Sequence, residues 1–512
     1  MSHSPDLATD QLGRGVCWIL IAASLGMMIG RILAVDSVDV RALDKARREK
    51  VRADLAEVRK QLESQGLSAG QAQSQLELKR VELERQARLR RPFLSANDRS
   101  RWCTVRALVE DGMRVPDAPY AIDRVIQEPL WDTIDMVKHD DHLYSSKPPL
   151  FPTLLAVPYW AIYRATGATL GTHPYEIGRA MLILVNVLPM AVYFWLLVRL
   201  AERFAKDPWS RVFVVATAAF GTFLTTFAVV INNHLPAAVS VMIALYAAVR
   251  IWFDGERRLR YFVAAGLFAA FAAADELPAL AFLVPVGLAL LWKDPRRTLA
   301  GFAPAALIVV AGFFATNWIA HASLRPSYAH RSTTDPADNW YQYTYHRGGK
   351  ERHSYWENRQ GIDRGEPSRA VYALHALVGH HGIFSLSPVW LLSLVGLAMW
   401  LVRPADPRLR ELAILTAAVS AACLVFYLGV VGQGDRNYGG MTSGLRWMFW
   451  LIPTWLVAML PAADLAARRR WSRAAALVLL AVSALSASYP TWNPWTHPWL
   501  YSFLDYLGWL PR

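Results

Sequence analysis

Lys147 opens an apolar segment in the stretch 140–155, DDHLYSSKPPLFPTLL. A lysine is costly inside a bilayer, and the two prolines after it prevent a helix from extending backwards. At a membrane surface such a lysine has two uses. It can anchor the chain with its amine among the lipid headgroups, or it can neutralise a phosphate group.

Further acidic and basic residues stand near the ends of apolar segments, and together they suggest one shared site. A carboxylate can accept the proton of an attacking hydroxyl, and cations stabilise the charge that develops on a phosphate leaving group. These chemistries predict a site for an anionic, lipid-linked substrate. The candidate residues for such a site are Asp98, Arg101, Asp132, Asp135, Lys147, His234, Asp275, Glu276 and Arg446.

These candidates also have structural explanations. Capping of a neighbouring helix could explain Asp98, His234, Asp275 and Glu276; Asp98, for instance, precedes a helix that we expect to begin near Arg99. Lys147 and Arg446 could anchor the chain at the interface. Chemistry and structure therefore both stay open for each of these residues.

The elements that would position these residues are transmembrane helices. The chain of 512 residues is 54% hydrophobic and 12% aromatic, with 21 tryptophans, which is typical of an integral membrane protein. The net charge of +13 lies in short loops, and no nucleic-acid-binding motif accompanies it. The composition predicts an all-α polytopic membrane protein with about eleven spans, at 16–34, 177–198, 212–231, 236–252, 261–275, 278–292, 299–320, 382–402, 412–431, 447–465 and 472–489.

The loops between these spans divide into two sets. RLAERFAKDPWSR, RIWFDGERRLR, KDPRR, RPADPRLRE and ARRRWSR are short and rich in arginine, which predicts that they are cytoplasmic. The other set includes the large first loop, the 321–381 loop and the tail, which should face outward together with the candidate site. This topology places the N-terminus inside, and the first apolar segment is expected to be an uncleaved span rather than a signal peptide.

Two segments need separate interpretation. The charged stretch 38–91 is predicted to form an antiparallel helical hairpin or coiled coil, as a spacer, a dimerising arm or a substrate-handling element. The run 149–166 contains several prolines and is predicted to lie on the membrane surface. The resulting organisation is an N-terminal span (1–37), the hairpin (38–91), a catalytic first-loop region (92–176), a set of spans (177–320), an outer loop (321–381), and C-terminal spans with a tail (382–512).

Three motifs carry a resemblance to a known superfamily. Asp98-Arg99-Ser100-Arg101-Trp102 resembles the acidic-x-x-Arg-aromatic motif in the first outer loop of GT-C glycosyltransferases, such as the lipid A aminoarabinose transferases and the protein O-mannosyltransferases. KHDDHLYSSKPPLFPTLL is similar to that family's Lys-Pro-Pro-Leu stretch, and HPYEIGRAMLILVNVLP resembles its next segment, where Arg179 opens the second span. These motifs cover about residues 85–200, and NYGGMTSGLRWMFWLIP is similar to a glycine-rich arginine motif late in some members.

The resemblance implies a glycosyltransferase of the bacterial inner membrane with its site facing the periplasm. It implies inverting transfer of a sugar from a polyprenyl phosphate to a lipid, glycan or protein acceptor. Asp98 matches the family's catalytic acidic residue, and Lys147 matches its phosphate-contacting lysine. Membrane lipids are expected to be the surroundings, and nucleic acid is not expected as a partner.

The sequence departs from the family pattern where a metal would be expected. Some members carry a second acidic residue after the first and a glutamate before the lysine, whereas this chain has Arg99 and Ser146. His380 and His381 are a candidate metal pair, although adjacent histidines on a helix point apart. A divalent metal therefore stays an open prediction, and its ligands stay unknown.

Two other functions stay open at this point. A transporter or flippase for an anionic or lipid-linked substrate would also need charged residues at span ends, although the sequence shows no clear inverted repeat. A non-catalytic membrane scaffold that has kept the fold would not need Asp98.

Overall fold

The computed structural model describes residues 7–35, 40–65, 69–86, 95–128, 130–490 and 493–510. The chain is 72% helical, and the strands within the described residues form two short hairpins. The longer helices are, in chain order, α1 (Leu7–Ala34), α2 (Val40–Ser64), α3 (Ala69–Gln86), α4 (Ala96–Val109), α5 (Leu150–Thr166), α6 (Pro174–Phe204), α7 (Pro208–Val229), α8 (His234–Trp252), α9 (Leu259–Asp275), α10 (Leu277–Lys293), α11 (Pro295–His321), α12 (Arg369–Leu377), α13 (Trp390–Val402), α14 (Pro407–Val430), α15 (Arg446–Ala466), α16 (Arg470–Ser488) and α17 (Trp499–Tyr506).

The predicted all-α polytopic fold is confirmed. Among the described residues, 8 helices are long and apolar enough to cross a membrane: α1, α6, α7, α8, α11, α14, α15 and α16. The three remaining predicted spans are the shorter helices α9, α10 and α13. Each predicted span therefore coincides with a helix, although the bounds differ by several residues.

The helix starts at one end of the bundle follow a local rule. Asp207, Asp294 and Asp406 each precede a proline, and each aspartate side chain accepts a hydrogen bond from a backbone amide in the first turn of the helix that follows. An aspartate cap followed by a proline in the first turn is a strong start signal, because the proline lacks an amide that would otherwise need a partner. The sequence therefore fixes where these helices begin.

The arginine-rich loops lie together at that end. Arg203 in the first of them donates to Asp254 in the second at 2.9 Å, and Arg408 in the fourth donates to the Phe253 carbonyl at 2.8 Å. The backbone amide of Lys206 donates to Asp464 near the fifth loop. The loops that the topology assigns to one side of the membrane are thus neighbours in the structure.

The first loop and the 321–381 loop meet at the opposite end. The first loop contains the hairpin of β1 (Met136–His139) and β2 (His142–Ser145), and the second contains the hairpin of β3 (Thr344–Arg347) and β4 (Lys350–His353). The Lys138 amide donates to the Trp340 carbonyl at 2.9 Å, and the Trp356 indole donates to the Ile134 carbonyl at 2.8 Å. The two loops therefore form one cover over the bundle.

The predicted hairpin 38–91 contains α2 and α3, which pack against each other and bury Val51 and Leu62. Its turn, 66–68, lies outside the described residues. The run 149–166 forms α5, which packs against α4 and exposes the apolar side chains of Leu154, Val157 and Trp160. Its predicted position on the membrane surface stays a prediction.

Candidate functional site

A polar cavity of about 780 Å³ lies beneath the loop cover. Its walls come from α4, the segment after β2, the adjoining ends of α8, α9 and α10, part of α14, and the start of α15. The sequence-predicted residues that line it are Arg101, Asp135, Lys147, His234, Asp275, Glu276 and Arg446. The structure thus brings together candidates that are hundreds of residues apart in the chain.

Helix α4 holds the first of these residues. Ser95 caps the helix, and Asp98 at the third position completes a capping box: the Ser95 hydroxyl accepts from the Asp98 amide, and the Asp98 carboxylate accepts from the Ser95 amide, both at 3.3 Å. Our expectation that the helix begins near Arg99 was wrong, because the cap lies at Ser95 and Asp98 is already inside the first turn. Asp98 does support the helix start, but only with one carboxylate oxygen.

The Asp98 carboxylate is enclosed. It is 1% exposed and lies behind the cavity wall, where its Oδ2 also accepts a hydrogen bond from the Trp495 indole at 3.2 Å. Its Oδ1 is buried without a hydrogen-bond partner among the described residues. Burial raises the pKa of Asp98 to about 7, against the opposing effects of Arg101, Arg99 and the Trp495 hydrogen bond. A carboxylate with such a pKa is suited to accept a proton near neutral pH.

Arg101 reaches from α4 into the cavity. Its guanidinium donates to Asn97 and to the Asn233 side-chain oxygen, the latter at 2.7 Å. Burial lowers the pKa of Arg101 to about 10, although Asp98, Asp135 and Asp275 oppose that effect. Arg101 is therefore a fixed positive charge at neutral pH.

The adjoining helix ends form a connected polar network. Asn233 donates to Glu276 Oε1 at 2.7 Å, and His234 Nδ1 contacts the same oxygen. Arg446 Nη1 lies 2.5 Å from His234 Nε2. Because arginine can only donate, Nε2 must accept, and the His234 proton is therefore on Nδ1, directed at Glu276. None of these side chains caps its own helix, so the capping explanation fails for His234 and Glu276.

Lys147 is paired in the cavity. Its amine lies 3.1 Å from Asp135 Oδ1, and the Asp135 carbonyl accepts from the Ser100 hydroxyl of α4 at 2.6 Å. Burial lowers the pKa of Lys147 to about 8; Asp135 opposes this effect, whereas Arg101 and Arg446 add to it. These three cations therefore repel one another, and an anion among them would relieve that repulsion.

Two further carboxylates, those of Asp275 and Asp132, differ in their burial and in their position relative to the cavity. Asp275 ends α9 and lines the cavity, with Oδ2 buried and without a hydrogen-bond partner among the described residues. Asp132 lies outside the cavity lining, with 42% of its side chain exposed and Arg347 of the outer loop 3.8 Å away. The structure therefore places Asp275 in the cavity wall and Asp132 outside the cavity.

The outer wall comes from the 321–381 loop and is aromatic. Tyr328, Tyr341 and Trp356 line the cavity together with Arg331, whose guanidinium lies 4.1 Å from the centre of the Tyr341 ring. Arg331 also donates to Asp435 at 3.2 Å. Flat rings beside planar polar groups present a surface on which a sugar ring can pack.

The comparisons with known proteins give one match. The family model of glycosyltransferase family 87 matches residues 158–426, which is more than half of the chain. The chain belongs to glycosyltransferase family 87. No curated protein and no solved structure matches it. Because family 87 is a GT-C-type family, the predicted membership of the GT-C superfamily is confirmed.

The matched part of this family 87 member contains only some of the candidate residues. The match covers His234, Asp275 and Glu276. Asp98 and Lys147 precede residue 158, and Arg446 follows residue 426. The family match therefore supports the enzyme class. The roles of Asp98 and Lys147 rest on the resemblance of their motifs and on the geometry of the cavity.

The described residues contain no group of three or more histidine, cysteine, aspartate or glutamate side chains arranged to hold a metal ion. His380 and His381 lie in a turn rather than on a helix, which corrects our expectation that they point apart. Their Nδ1 atoms are 2.5 Å apart, but neither residue lines the cavity of this family 87 protein.

Several residues of the site have no recognisable signal in the sequence. Trp495 lies in the tail segment WNPWTHPWL and reaches Asp98 and Arg446, whose guanidinium lies 5.0 Å from the indole ring centre. Asn233 and Arg331 belong to polar stretches whose spacing indicates no partner. Only the folded chain of this glycosyltransferase shows that Asn233 and Arg331 line the same cavity and that Trp495 contacts Asp98 beside it.

Proposed function

We propose that this family 87 glycosyltransferase transfers a sugar from a polyprenyl phosphate to a hydroxyl acceptor at the outer face of a bacterial inner membrane. The observation that carries the proposal is the convergence of Lys147, Arg101 and Arg446 on one cavity. A phosphate among these cations would be held by charge-assisted hydrogen bonds. Its growing negative charge during bond cleavage would be stabilised by the same groups.

The proposed reaction is a displacement at the anomeric carbon of the donor sugar. The acceptor hydroxyl oxygen attacks the anomeric carbon while the bond from that carbon to the phosphate oxygen breaks. The bonding electron pair leaves with the polyprenyl phosphate, and the hydroxyl proton passes to a carboxylate. A single displacement of this kind inverts the configuration of the anomeric carbon.

Asp98 is the proposed proton acceptor. Its Oδ1 lacks a partner among the described residues, its pKa is about 7, and its neighbours Asn97 and Arg101 both line the cavity. This role requires the Asp98 side chain to turn from behind the cavity wall toward the acceptor hydroxyl. Asp275 is the rival base, because its unpartnered Oδ2 lies in the wall of the same cavity.

The remaining candidates bind rather than react in this proposal. Asp135 positions Lys147, and Glu276 with His234 orients Arg446. The aromatic outer wall holds the acceptor, which is a lipid, a glycan or a protein side chain. The divalent metal stays a separate prediction, which is tested by repeating each assay with EDTA and after adding Mg²⁺ or Mn²⁺.

The direct test is turnover by the purified full-length protein in lipid nanodiscs. A panel of polyprenyl phosphates that carry radiolabelled sugars is supplied with a detergent extract of envelope lipids and glycans. We expect one donor to be consumed, with release of free polyprenyl phosphate and labelling of an acceptor. Donor movement across proteoliposome membranes without any cleavage would instead establish the transporter alternative.

The proposed outward orientation has its own test. Ser64 in α2 and Lys350 in β4 are both exposed, so each can be replaced by a single accessible cysteine. The three native cysteines are buried. Both new cysteines should react with a membrane-impermeant maleimide in intact spheroplasts. Protection of both until lysis would show that the site faces the cytoplasm.

A further inference from the structure

Arg446 is held by a short turn that precedes it in the chain. Its Nε donates to the Gly439 carbonyl at 2.9 Å, while its Nη1 contacts His234. A Cβ atom added at Gly439 would come within 3.0 Å of Arg446 Nε, so the backbone of this glycine lies directly against the guanidinium. The position of Arg446 therefore depends on the conformation of this turn.

The turn, residues 438–440, has a left-handed backbone. The φ angle is 59° at Tyr438, 94° at Gly439 and 83° at Gly440. Glycine adopts positive φ freely, whereas a tyrosine does so only where its surroundings hold it. The Asn437 side chain supports the turn by accepting from the Gly439 amide at 3.1 Å, and the packing around Tyr438 must supply the rest.

The Tyr438 ring lies in a cage of other rings, which we name the aromatic cage: Tyr372, His380 and His381. The His381 ring stacks on it, with 4.9 Å between the ring centres and 16° between the planes. The ring centres of Tyr372 and His380 are 4.9 Å and 5.0 Å away. Tyr438 is buried, and its hydroxyl has no hydrogen-bond partner among the described residues. Ring packing therefore holds this side chain.

His381 joins the turn to α12. It is completely buried, and its amide donates to the His375 carbonyl at 3.2 Å, near the end of that helix. Its ring is the one that lies nearly parallel to the Tyr438 ring. Neither His381 nor Tyr438 lines the polar cavity, so neither is placed to contact a substrate there.

We propose that Tyr438 and His381 are positioning residues for Arg446. The stacked pair holds the 438–440 turn in its left-handed conformation, and the Gly439 carbonyl then fixes the guanidinium where it can meet the donor phosphate. This inference rests on the proposed function, which places the phosphate beside Arg446. Both residues act through Arg446 rather than on the substrate.

Substitutions that remove or keep one ring test the pair. His381→Ala removes the ring that stacks on Tyr438, whereas His381→Phe keeps a flat ring at the same place. His375→Ala is the matched control, because the His375 ring stacks on His380 at 3.9 Å but its centre is 6.5 Å from that of Tyr438. Monodisperse elution of each variant from a sizing column confirms folding before any comparison.

A second pair of variants makes the same test from the turn itself. Tyr438→Gly removes the ring without opposing positive φ, and Tyr438→Phe removes only the unpartnered hydroxyl. We expect Tyr438→Gly to behave like His381→Ala and Tyr438→Phe to behave like wild type. This pair carries the test if His381→Ala does not fold, and wild-type behaviour of Tyr438→Gly would contradict the proposal.

The kinetic measurement separates the donor from the acceptor. In His381→Ala, KM for the donor should rise about tenfold and KM for the acceptor should stay within about twofold of wild type, because a displaced guanidinium loses a charge-assisted hydrogen bond to the phosphate alone. His381→Phe should restore most of the donor affinity. An unchanged donor KM in His381→Ala, or an equal loss in His375→Ala, would overturn the proposal.

A double variant shows whether the effect passes through Arg446. Arg446→Ala alone should raise donor KM about ten- to hundredfold. Adding His381→Ala should then change KM by less than about twofold, because residues that act through one shared contact are not additive. Effects that multiply would show that His381 acts independently of Arg446, and the positioning role would be lost.

Crystal structures of the variants test the positioning without turnover. Arg446 Nε should separate from the Gly439 carbonyl in His381→Ala and should keep that bond in His381→Phe. A guanidinium that stays in place in His381→Ala would refute the proposal even if the donor is consumed. If the wild type consumes no donor but the guanidinium moves as expected, the proposed function fails and the positioning of Arg446 stands.

Discussion

The two ends of the bundle are both rich in charge, but their charges are arranged in opposite ways. At the arginine-rich end, ion pairs such as Arg297 with Asp294, Arg250 with Asp254 and Arg203 with Asp254 join partly exposed side chains. At the loop-covered end, buried groups meet across the chain: Arg101 and Asn233 are 132 positions apart, and Arg446 and His234 are 212 positions apart.

We infer from this difference in burial that the charges at the arginine-rich end concern membrane topology, whereas those at the loop-covered end concern chemistry. Partly exposed ion pairs contribute about 0–1 kcal/mol, so the arginine-rich loops carry their positive charge at little structural cost. Burying charged groups requires several kcal/mol of desolvation per ion. A buried network of this kind is therefore expected where charge has a function, and substitutions there should affect activity far more than substitutions at the other end.

The largest expected effect concerns the proton acceptor. Asp98→Asn should reduce transfer by about 10²–10⁴-fold, because an amide cannot accept the acceptor's proton. Folding should be nearly unaffected, because the amide oxygen can still accept the capping hydrogen bond from Ser95. Asp275→Asn is measured in parallel under the same conditions. A nearly normal rate for Asp98→Asn with loss in Asp275→Asn would move the role to Asp275.

The next effect concerns the phosphate. Lys147→Ala should raise KM for the donor about ten- to hundredfold, the range expected for loss of a charge-assisted hydrogen bond. Lys147→Arg should retain more activity. Because Lys147 has a pKa of about 8, wild-type kcat/KM should fall as pH rises above that value, and this fall should disappear in Lys147→Arg, whose guanidinium stays charged. An unchanged donor KM in Lys147→Ala would make the lysine a simple anchor.

A smaller effect should appear in the acid limb of the pH profile. Asp98 must be ionised to accept a proton, so kcat/KM should rise with pH through about 7. The Trp495 hydrogen bond favours the ionised form, and Trp495→Phe removes it while keeping an aromatic ring. The acid limb should therefore move to higher pH. A limb that stays in place would show that Trp495 has no influence on the base.

The smallest effect is expected at the arginine-rich end. Arg203→Ala removes the pair with Asp254, which is partly exposed, so transfer should stay within about twofold of wild type and thermal stability should barely change. It is the matched control for Lys147→Ala. A loss of activity comparable to that of Lys147→Ala would abolish the contrast between the two ends.

The sequence by itself determined the membrane-spanning helices and several helix starts, and it predicts their sidedness. Hydrophobic length, the arginine bias of short loops and the Asp-Pro pairs at Asp207, Asp294 and Asp406 are local properties, and a bilayer or a single helix turn acts on them without reference to distant residues. The motif around Asp98 and Lys147 was also local, which is why its resemblance to GT-C enzymes could be recognised.

Only the tertiary structure decided which polar residues share a cavity. It enclosed Asp98 behind Trp495, placed Asp275 in the cavity wall and left Asp132 outside the cavity. The physical reason is that cavities are the spaces left by packed helices, so their lining depends on the crossing of several segments at once. No spacing within one segment encodes which distant side chain will face it across such a space.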